Sequence, residues 1–278
     1  MKRITLLYSG GVDSTAAAVI LSKQFDQVHL LSFNRFGLFN IERTAVNTAL
    51  LKEKFGADRF QHTILEVNKL FRMISYSKYC SNLLRHGFFV LSTCGLCKLS
   101  MHVRAIIYCL DNDIRHVADG ANKHMFYFPD QTIEYIREIK ALYAKFGIEY
   151  LNPVYDFDCP EENIDWFNKL GVKANIISGN GKDNPPENPT TSQLLFQEGL
   201  SDGVNAKAEK TNQNAQARCF QLTLFNIFLH WYFLPSYGME KYKQTVSVFY
   251  KEKTGFLSGM LTDYANDKKN SLLRRYLE

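Results

Sequence analysis

Two sets of residues in this chain have types and spacing suited to chemistry: Ser9-Gly10-Gly11-Val12-Asp13-Ser14 near the N-terminus, and the thiol pair of Cys94-Gly95-Leu96-Cys97. The first set suits a pyrophosphate. Gly10 and Gly11 let the backbone approach phosphate oxygens with no Cβ in the way, and Ser9, Ser14 and Thr15 add hydroxyl donors. The Asp13 carboxylate would repel phosphate unless a Mg²⁺ ion lay between them. The second set has a spacing that binds Zn²⁺, holds an iron–sulfur cluster or works as a redox dithiol. A helix starting near Lys98 would put both thiols at its positive end. Lys98, His102 and Arg104 push the same way, so depressed thiol pKa values are expected. The packing alternatives are a plain Gly-Gly turn and two core cysteines.

The elements that must position these residues alternate. Ile4–Tyr8 is a short apolar run fit for a buried strand, and Val12–Phe25 is a helix whose unpaired first N–H groups would face an anion. Gln27–Asn34 reads as a second strand, Ile41–Phe55 as a helix stopped by Gly56, and Arg59–Val67 as a third strand. Leu99–Leu110 is a helix and Arg115–Asp119 a strand. Pro129 opens a helix to Phe146, Glu149–Tyr155 is strand-like, and Pro160 opens another helix to Leu170. This alternation predicts an α/β fold with a doubly wound parallel sheet, whose ligand lies at the carboxyl ends of the strands. The expected organisation is an α/β domain over 1–175 that carries the Ser9–Ser14 loop, a long irregular loop or lid over 176–217 and a helical extension over 218–278. The segment from Phe220 to Phe233 reads as a buried aromatic helix. Cys219, Thr223, Asn226 and His230 form its polar stripe, a pattern that packing alone explains.

The Ser9–Ser14 loop is neither a Walker loop, which needs a Lys after the glycines, nor a Gly-x-Gly-x-x-Gly turn. In residues and placement it resembles the PP-loop of the N-type ATP pyrophosphatases, the adenine nucleotide alpha hydrolases. That resemblance implies a Rossmann-like fold and ATP bound by Tyr8, Ser9, Gly10, Gly11, Val12, Asp13, Ser14 and Thr15, with Phe33 and Asn34 near the adenine. Gly120-Ala121-Asn122, followed by Pro129-Asp130, resembles a second motif of the superfamily and adds Gly120 and Asn122 to the nucleotide side; its alternative is an ordinary turn between strand and helix. His124 stands where the superfamily commonly has an acidic residue. Arg35 and Arg43 read first as surface arginines and second as phosphate or RNA contacts.

The segment Cys94–Arg104 is similar to the Cys-x-x-Cys segment of tRNA thiolases in this superfamily, where a third, distant cysteine completes a [4Fe-4S] or sulfur-carrying site. Cys219 is the first choice for that position and Cys159 the second, while Cys80 and Cys109 read as core residues. The resemblance implies that ATP is split between its α and β phosphates, with Mg²⁺ held partly by Asp13. AMP passes to a carbonyl oxygen and a nucleophile then displaces it. With Asp13, Cys94, Cys97 and Cys219 as the catalytic set, the nucleophile is sulfur and the acceptor a tRNA base, served by a sulfur donor. The 7-cyano-7-deazaguanine synthases are also similar, which leaves a nitrogen-transferring ligase acting on a small molecule or protein, with zinc on the cysteines, as an alternative. A non-catalytic nucleotide-binding subunit is a third reading. A net charge of +5 is compatible with RNA without specifying it. No run reaches the roughly eighteen apolar residues of a membrane span, so a cytoplasmic protein with reduced thiols rather than disulfides, and a homodimer as one assembly state, are the remaining expectations.

Overall fold

The computed structural model describes residues 1–91, 93–158, 189–200, 218–219 and 228–277. Five parallel strands make the central sheet: β1 (Arg3–Leu7), β2 (Gln27–Asn34), β4 (Phe60–Glu66), β5 (His116–Asp119) and β6 (Glu149–Leu151), in the order β4-β2-β1-β5-β6. β1 pairs on one side with β2, Ile4 opposite Val28, and on the other with β5, Leu7 opposite Asp119. The fold is therefore the doubly wound α/β arrangement that the alternation predicted. The strand order reverses on either side of β1, so the crevice at the carboxyl ends of β1 and β5 is the topological switch point. A separate ribbon joins β3 (Leu38–Phe39) antiparallel to β7 (Arg218–Cys219), with Leu38 opposite Cys219.

Each face of the sheet is covered, as a parallel sheet requires. On one face Ile4, Leu6 and Leu30 pack with Ala16, Ala17 and Val19 of α1 (Val12–Ser22). Leu51 of α2 (Thr44–Phe55) and Leu195 join that cluster. On the other face Leu7 and Leu31 pack with α3 (Asn68–Tyr76), with α5 (Thr93–Asn112) through Leu99, Val103 and Ile106, and with α6 (Ile133–Ala144). A helix α4 (Tyr79–His86) lies between α3 and α5 in the chain. Thr132 caps α6 by accepting the Tyr135 N–H at 3.2 Å.

Inside the stretch read as irregular, Thr191–Gln197 is a helix, α7. Thr190 and Gln193 form a capping box at its start. The last long helix, α8 (Leu234–Asn266), buries Tyr242, Val246, Phe249, Tyr250, Leu257, Leu261 and Tyr264. Those positions recur at helical spacing, and the stripe they form closes the face over α5 and α6. Gly238, at φ 75°, kinks α8 near its start.

Several expectations are corrected. α5 begins at Thr93, not near Lys98, so Cys94 and Cys97 lie inside its first turns. Cys219 lies in β7, so the helical stripe through Cys219 does not form there; Thr223 and Asn226 lie outside the described residues. The short π-helical stretch Phe228–Phe233 buries Leu229 and Phe233 but leaves Trp231 81% exposed, so its surroundings are not apolar all round. Cys80 is exposed, whereas Cys109 is a core residue. Cys159 and the helix expected from Pro160 lie outside the described residues. Among the described residues no single helix is long and apolar enough to cross a membrane.

Candidate nucleotide site and cysteine cluster

The turn after β1 is held in one conformation by its own residues. Gly10 has φ 74°, a left-handed conformation that a side chain would strain. Its carbonyl accepts the Asn47 side-chain amide at 2.6 Å, which ties the turn to α2. The Ser14 hydroxyl donates to the Gly11 carbonyl at 3.0 Å, and the Ser9 and Ser14 hydroxyls lie 3.2 Å apart. Gly11 caps α1 with no side-chain partner, so the first N–H groups of the helix are left for a ligand.

A cavity of about 450 Å³ opens above this turn. Ser9, Gly11, Val12, Asp13 and Ser14 form one wall, with Tyr8, Phe33 and Leu38 beside them. Lys98 and Met101 of α5 and Gly120 after β5 form the other. A Cβ on Gly120 would sit 2.8 Å from the Ser14 backbone nitrogen, so this glycine is needed for contact between the β5 end and the loop. Four residues assigned to the nucleotide side do not line the cavity. Gly10 and Thr15 face a small cleft toward Asn47 and Leu195. The Asn34 amide donates to Glu66 at 2.5 Å, and the Asn122 side-chain oxygen accepts the His124 N–H at 2.9 Å.

Charge at the cavity comes from both walls. The Thr191 hydroxyl of α7 donates to Asp13 at 2.7 Å. Burial raises the Asp13 carboxyl above its usual range and Thr191 offsets this in part, so a cation at Asp13 would be welcome. Among the described residues, Asp13 is the one carboxylate lining the cavity. Magnesium typically takes one or two protein carboxylates and completes its shell with phosphates and water, so this donor set fits Mg²⁺ accompanying a nucleotide. Opposite, the Lys98 ammonium is 3.1 Å from the fully buried Asp119. Burial alone would raise the Asp119 carboxyl, but Lys98, His102 and the Ala121 N–H hold it below its ordinary value. Burial works against the Lys98 charge, and Asp119 and Asp130 overcome it. His102, below them, is driven down to about 3 by burial and then by Lys98, so it is neutral.

Cys97 and Cys219 meet around Arg35, and neither lines the cavity. Arg35 follows β2 and is only 3% exposed, which corrects its reading as a surface arginine. Its Nε donates to Cys97 Sγ at 2.7 Å and its Nη2 to Cys219 Sγ at 3.4 Å. Its Nη1 donates to the Phe36 carbonyl at 2.7 Å, and the guanidinium carbon stands 4.6 Å from the Phe71 ring centre. Cys94 is half-buried and within electrostatic reach of Cys97, Cys219 and Arg35. The thiol pair is not acidified as the sequence suggested. Burial raises Cys97 to about 11 in spite of Arg35, and raises Cys94 well above its usual value. The helix end is present, but desolvation outweighs it.

Among the described residues no group of three or more His, Cys, Asp or Glu side chains is arranged to hold a metal ion. The guanidinium hydrogen-bonds the two sulfurs that an iron–sulfur cluster or zinc ion would share. The cysteines as arranged therefore do not fit either group.

The residues that sequence reasoning missed are Arg35 as a cysteine partner, Lys98 as a cavity cation, Asp119, Asn47 and Thr191. In the sequence Lys98 reads as a helix start and a cation beside the thiols, and Asp119 as the strand end before Gly120.

A profile described as a family of unknown function (DUF7411) matches residues 1–169. No curated protein matches the sequence significantly. Similar solved structures include a predicted subunit of tRNA methyltransferase from Methanocaldococcus jannaschii, at 16% identity over 79% of this chain and 97% of that one, TM-score 0.38. The U34-tRNA thiolase NcsA from Methanococcus maripaludis, solved with its [4Fe-4S] cluster, is similar at 14% identity over 84% of this chain and 73% of that one, TM-score 0.36. A 4-thiouridine synthetase in complex with RNA and ATP is similar at 16% identity over 83% of this chain and 54% of that one, TM-score 0.39.

Proposed function

Because the chain belongs to DUF7411, a family whose function is unknown, we propose its activity from the site itself: ATP-dependent adenylation of a carbonyl oxygen, followed by replacement of that oxygen. The observation that carries this reading is the cavity at the switch point, with the Ser9–Ser14 turn and the α1 N-terminus on one wall and Lys98 on the other. The turn takes the β and γ phosphates through backbone N–H groups and the Ser9 and Ser14 hydroxyls. Lys98, held by Asp119, faces the α-phosphate and stabilises charge that grows as the acceptor oxygen bonds to phosphorus and pyrophosphate leaves. Mg²⁺, when bound at Asp13, supplies neutralisation of the phosphate charge.

The second half is the arrival of a nucleophile at the activated carbon, with AMP as the leaving group. We assign this nucleophile to sulfur. Cys97 precedes Lys98 in the chain, and Cys219 pairs with Leu38, and both Lys98 and Leu38 line the cavity. The two cysteines thus neighbour cavity-lining residues on separate elements, α5 and β7. Sulfur would come from an external donor, and the acceptor that suits such chemistry is a base carbonyl in tRNA. No step is assigned to a metal or cluster on the cysteines.

The test is pyrophosphate release from ATP by the full-length protein, with bulk tRNA as acceptor, for wild type and Asp13→Ala. Release by wild type that depends on tRNA, and its loss in the variant, is the expected result. Tight ATP binding with no pyrophosphate release under any acceptor would leave only a nucleotide-binding role.

A further inference from the structure

The feature least explained by the adenylation reading is a buried arginine on two sulfurs. A zinc or iron site needs thiolates converging on one point about 2.3 Å from each sulfur. Here Cys97 and Cys219 instead converge on one planar group, at 2.7 Å from Nε and 3.4 Å from Nη2 of Arg35.

That group is anchored on every side. Nη1 is held by the Phe36 carbonyl, the guanidinium lies over the Phe71 ring from α3, and the residue is almost fully buried. Its chemistry also matters. A lysine or histidine in this position could lose its proton and yield to an incoming metal ion. A guanidinium does not deprotonate in a protein, so its positive charge stays. A divalent ion bound to the same sulfurs would sit within a few ångströms of that charge, in a poorly screened interior.

We propose that Arg35 is the resident cation of the cysteine cluster, placed where a shared metal would be, so that the site excludes zinc and iron–sulfur clusters and keeps Cys97 and Cys219 as metal-free sulfurs. The consequence is a site suited to an anionic or polarisable sulfur species. Arg35 is thereby a positioning residue for two cysteines that lie 122 positions apart in the chain, by their separations of 62 and 184 from Arg35. This inference does not depend on ATP use, because its readout is metal content.

The experiment uses full-length protein purified anaerobically. One portion is titrated with Co²⁺ and Zn²⁺, and another is reconstituted with Fe²⁺ and sulfide. Wild type should show no thiolate-to-cobalt charge-transfer band and no visible absorption of an iron–sulfur centre. Arg35→Gln should gain the cobalt band and bind Zn²⁺ roughly tenfold or more tightly than wild type, and adding Cys97→Ser or Cys219→Ser should remove the gain. Arg35→Lys, which fills similar space with a proton it can lose, should bind metal increasingly as pH rises. A circular dichroism spectrum and melt establish which variants fold. A stoichiometric metal or cluster in wild type that vanishes in Cys97→Ser overturns the proposal without any Arg35 variant. So does a folded Arg35→Gln that binds no more metal than wild type.

Discussion

The glycine turn after β1 and the cysteine cluster around Arg35 are built differently by the chain. The turn is made by consecutive residues, Tyr8 to Thr15, braced from outside by Asn47 on the Gly10 carbonyl and Thr191 on Asp13. The cluster is made by partners 62 and 184 positions from Arg35, contributed by the end of β2, α5 and β7. The turn keeps the first backbone N–H groups of α1 open to a ligand, with the Ser9 and Ser14 hydroxyls beside them. The cluster has its strongest charge already spoken for and its thiols raised in pKa by burial. A local motif can present unsatisfied groups because a helix end and a strand end supply them automatically. A cluster assembled from distant segments must satisfy its buried groups to exist, since an unpaired charge in the interior is costly.

This contrast can be broken or sharpened by measurement. The largest effect is expected at Asp13. Asp13→Ala should lower pyrophosphate release by about 100-fold or more, a loss of the size seen when a charge-stabilising group leaves a site. A variant that retains most of the activity would move the phosphate site away from the turn.

Next is the acid response of α5. The folded pKa of His102 is about 3, below its ordinary value of about 6.5. Between these pH values the unfolded chain binds the proton and the folded chain does not. His102 therefore contributes stability in full above the upper value, and loses it as pH falls toward the lower one. Thermodynamically this slope approaches ~1.4 kcal/mol per pH unit. Denaturant melts between pH 7 and pH 4.5 should fall less steeply for His102→Gln than for wild type. Equal slopes would mean that His102 is already protonated on Asp119.

Gly120→Ala comes third. The added methyl meets the Ser14 backbone nitrogen, and relief by shifting the turn should cost roughly 1–3 kcal/mol. The comparison predicts a matching loss of ATP affinity by calorimetry, with the reactivity of Cys97 toward a maleimide unchanged. If both change together, the turn and the cluster are one mechanical unit. The smallest effect belongs to Thr191→Val. It deletes the hydroxyl that orients Asp13 and should weaken Mg²⁺–ATP binding by about 1 kcal/mol, with little change in the melting temperature.

Much of the fold was readable because its signals are local. The bounds of β2 match the apolar run Gln27–Asn34, and α2 stops at Gly56, as its sequence indicates. α3 and α4 are hard to read from sequence because both are short and only Ser77 and Lys78 separate them, although Gly87 stops α4. The start of α5 was misplaced because the Cys94-Gly95-Leu96-Cys97 stretch reads as a turn. In the fold Tyr135, which packs on Tyr250 of α8, donates to the Gly95 carbonyl at 3.3 Å and helps hold that turn of the helix.

By itself the sequence determined the alternating α/β order, the glycine turn after the first strand and the positions of the sulfur atoms along the chain. Each of these follows from residues within a few positions of one another, whose conformational preferences act before any tertiary contact forms. Tertiary structure decided that Arg35 is buried on Cys97 and Cys219, that Lys98 faces the cavity from Asp119, and that Thr191 reaches Asp13. These contacts span large separations in sequence, and the balance of burial against charge that sets their protonation exists only once the sheet and its two helical layers have closed around them.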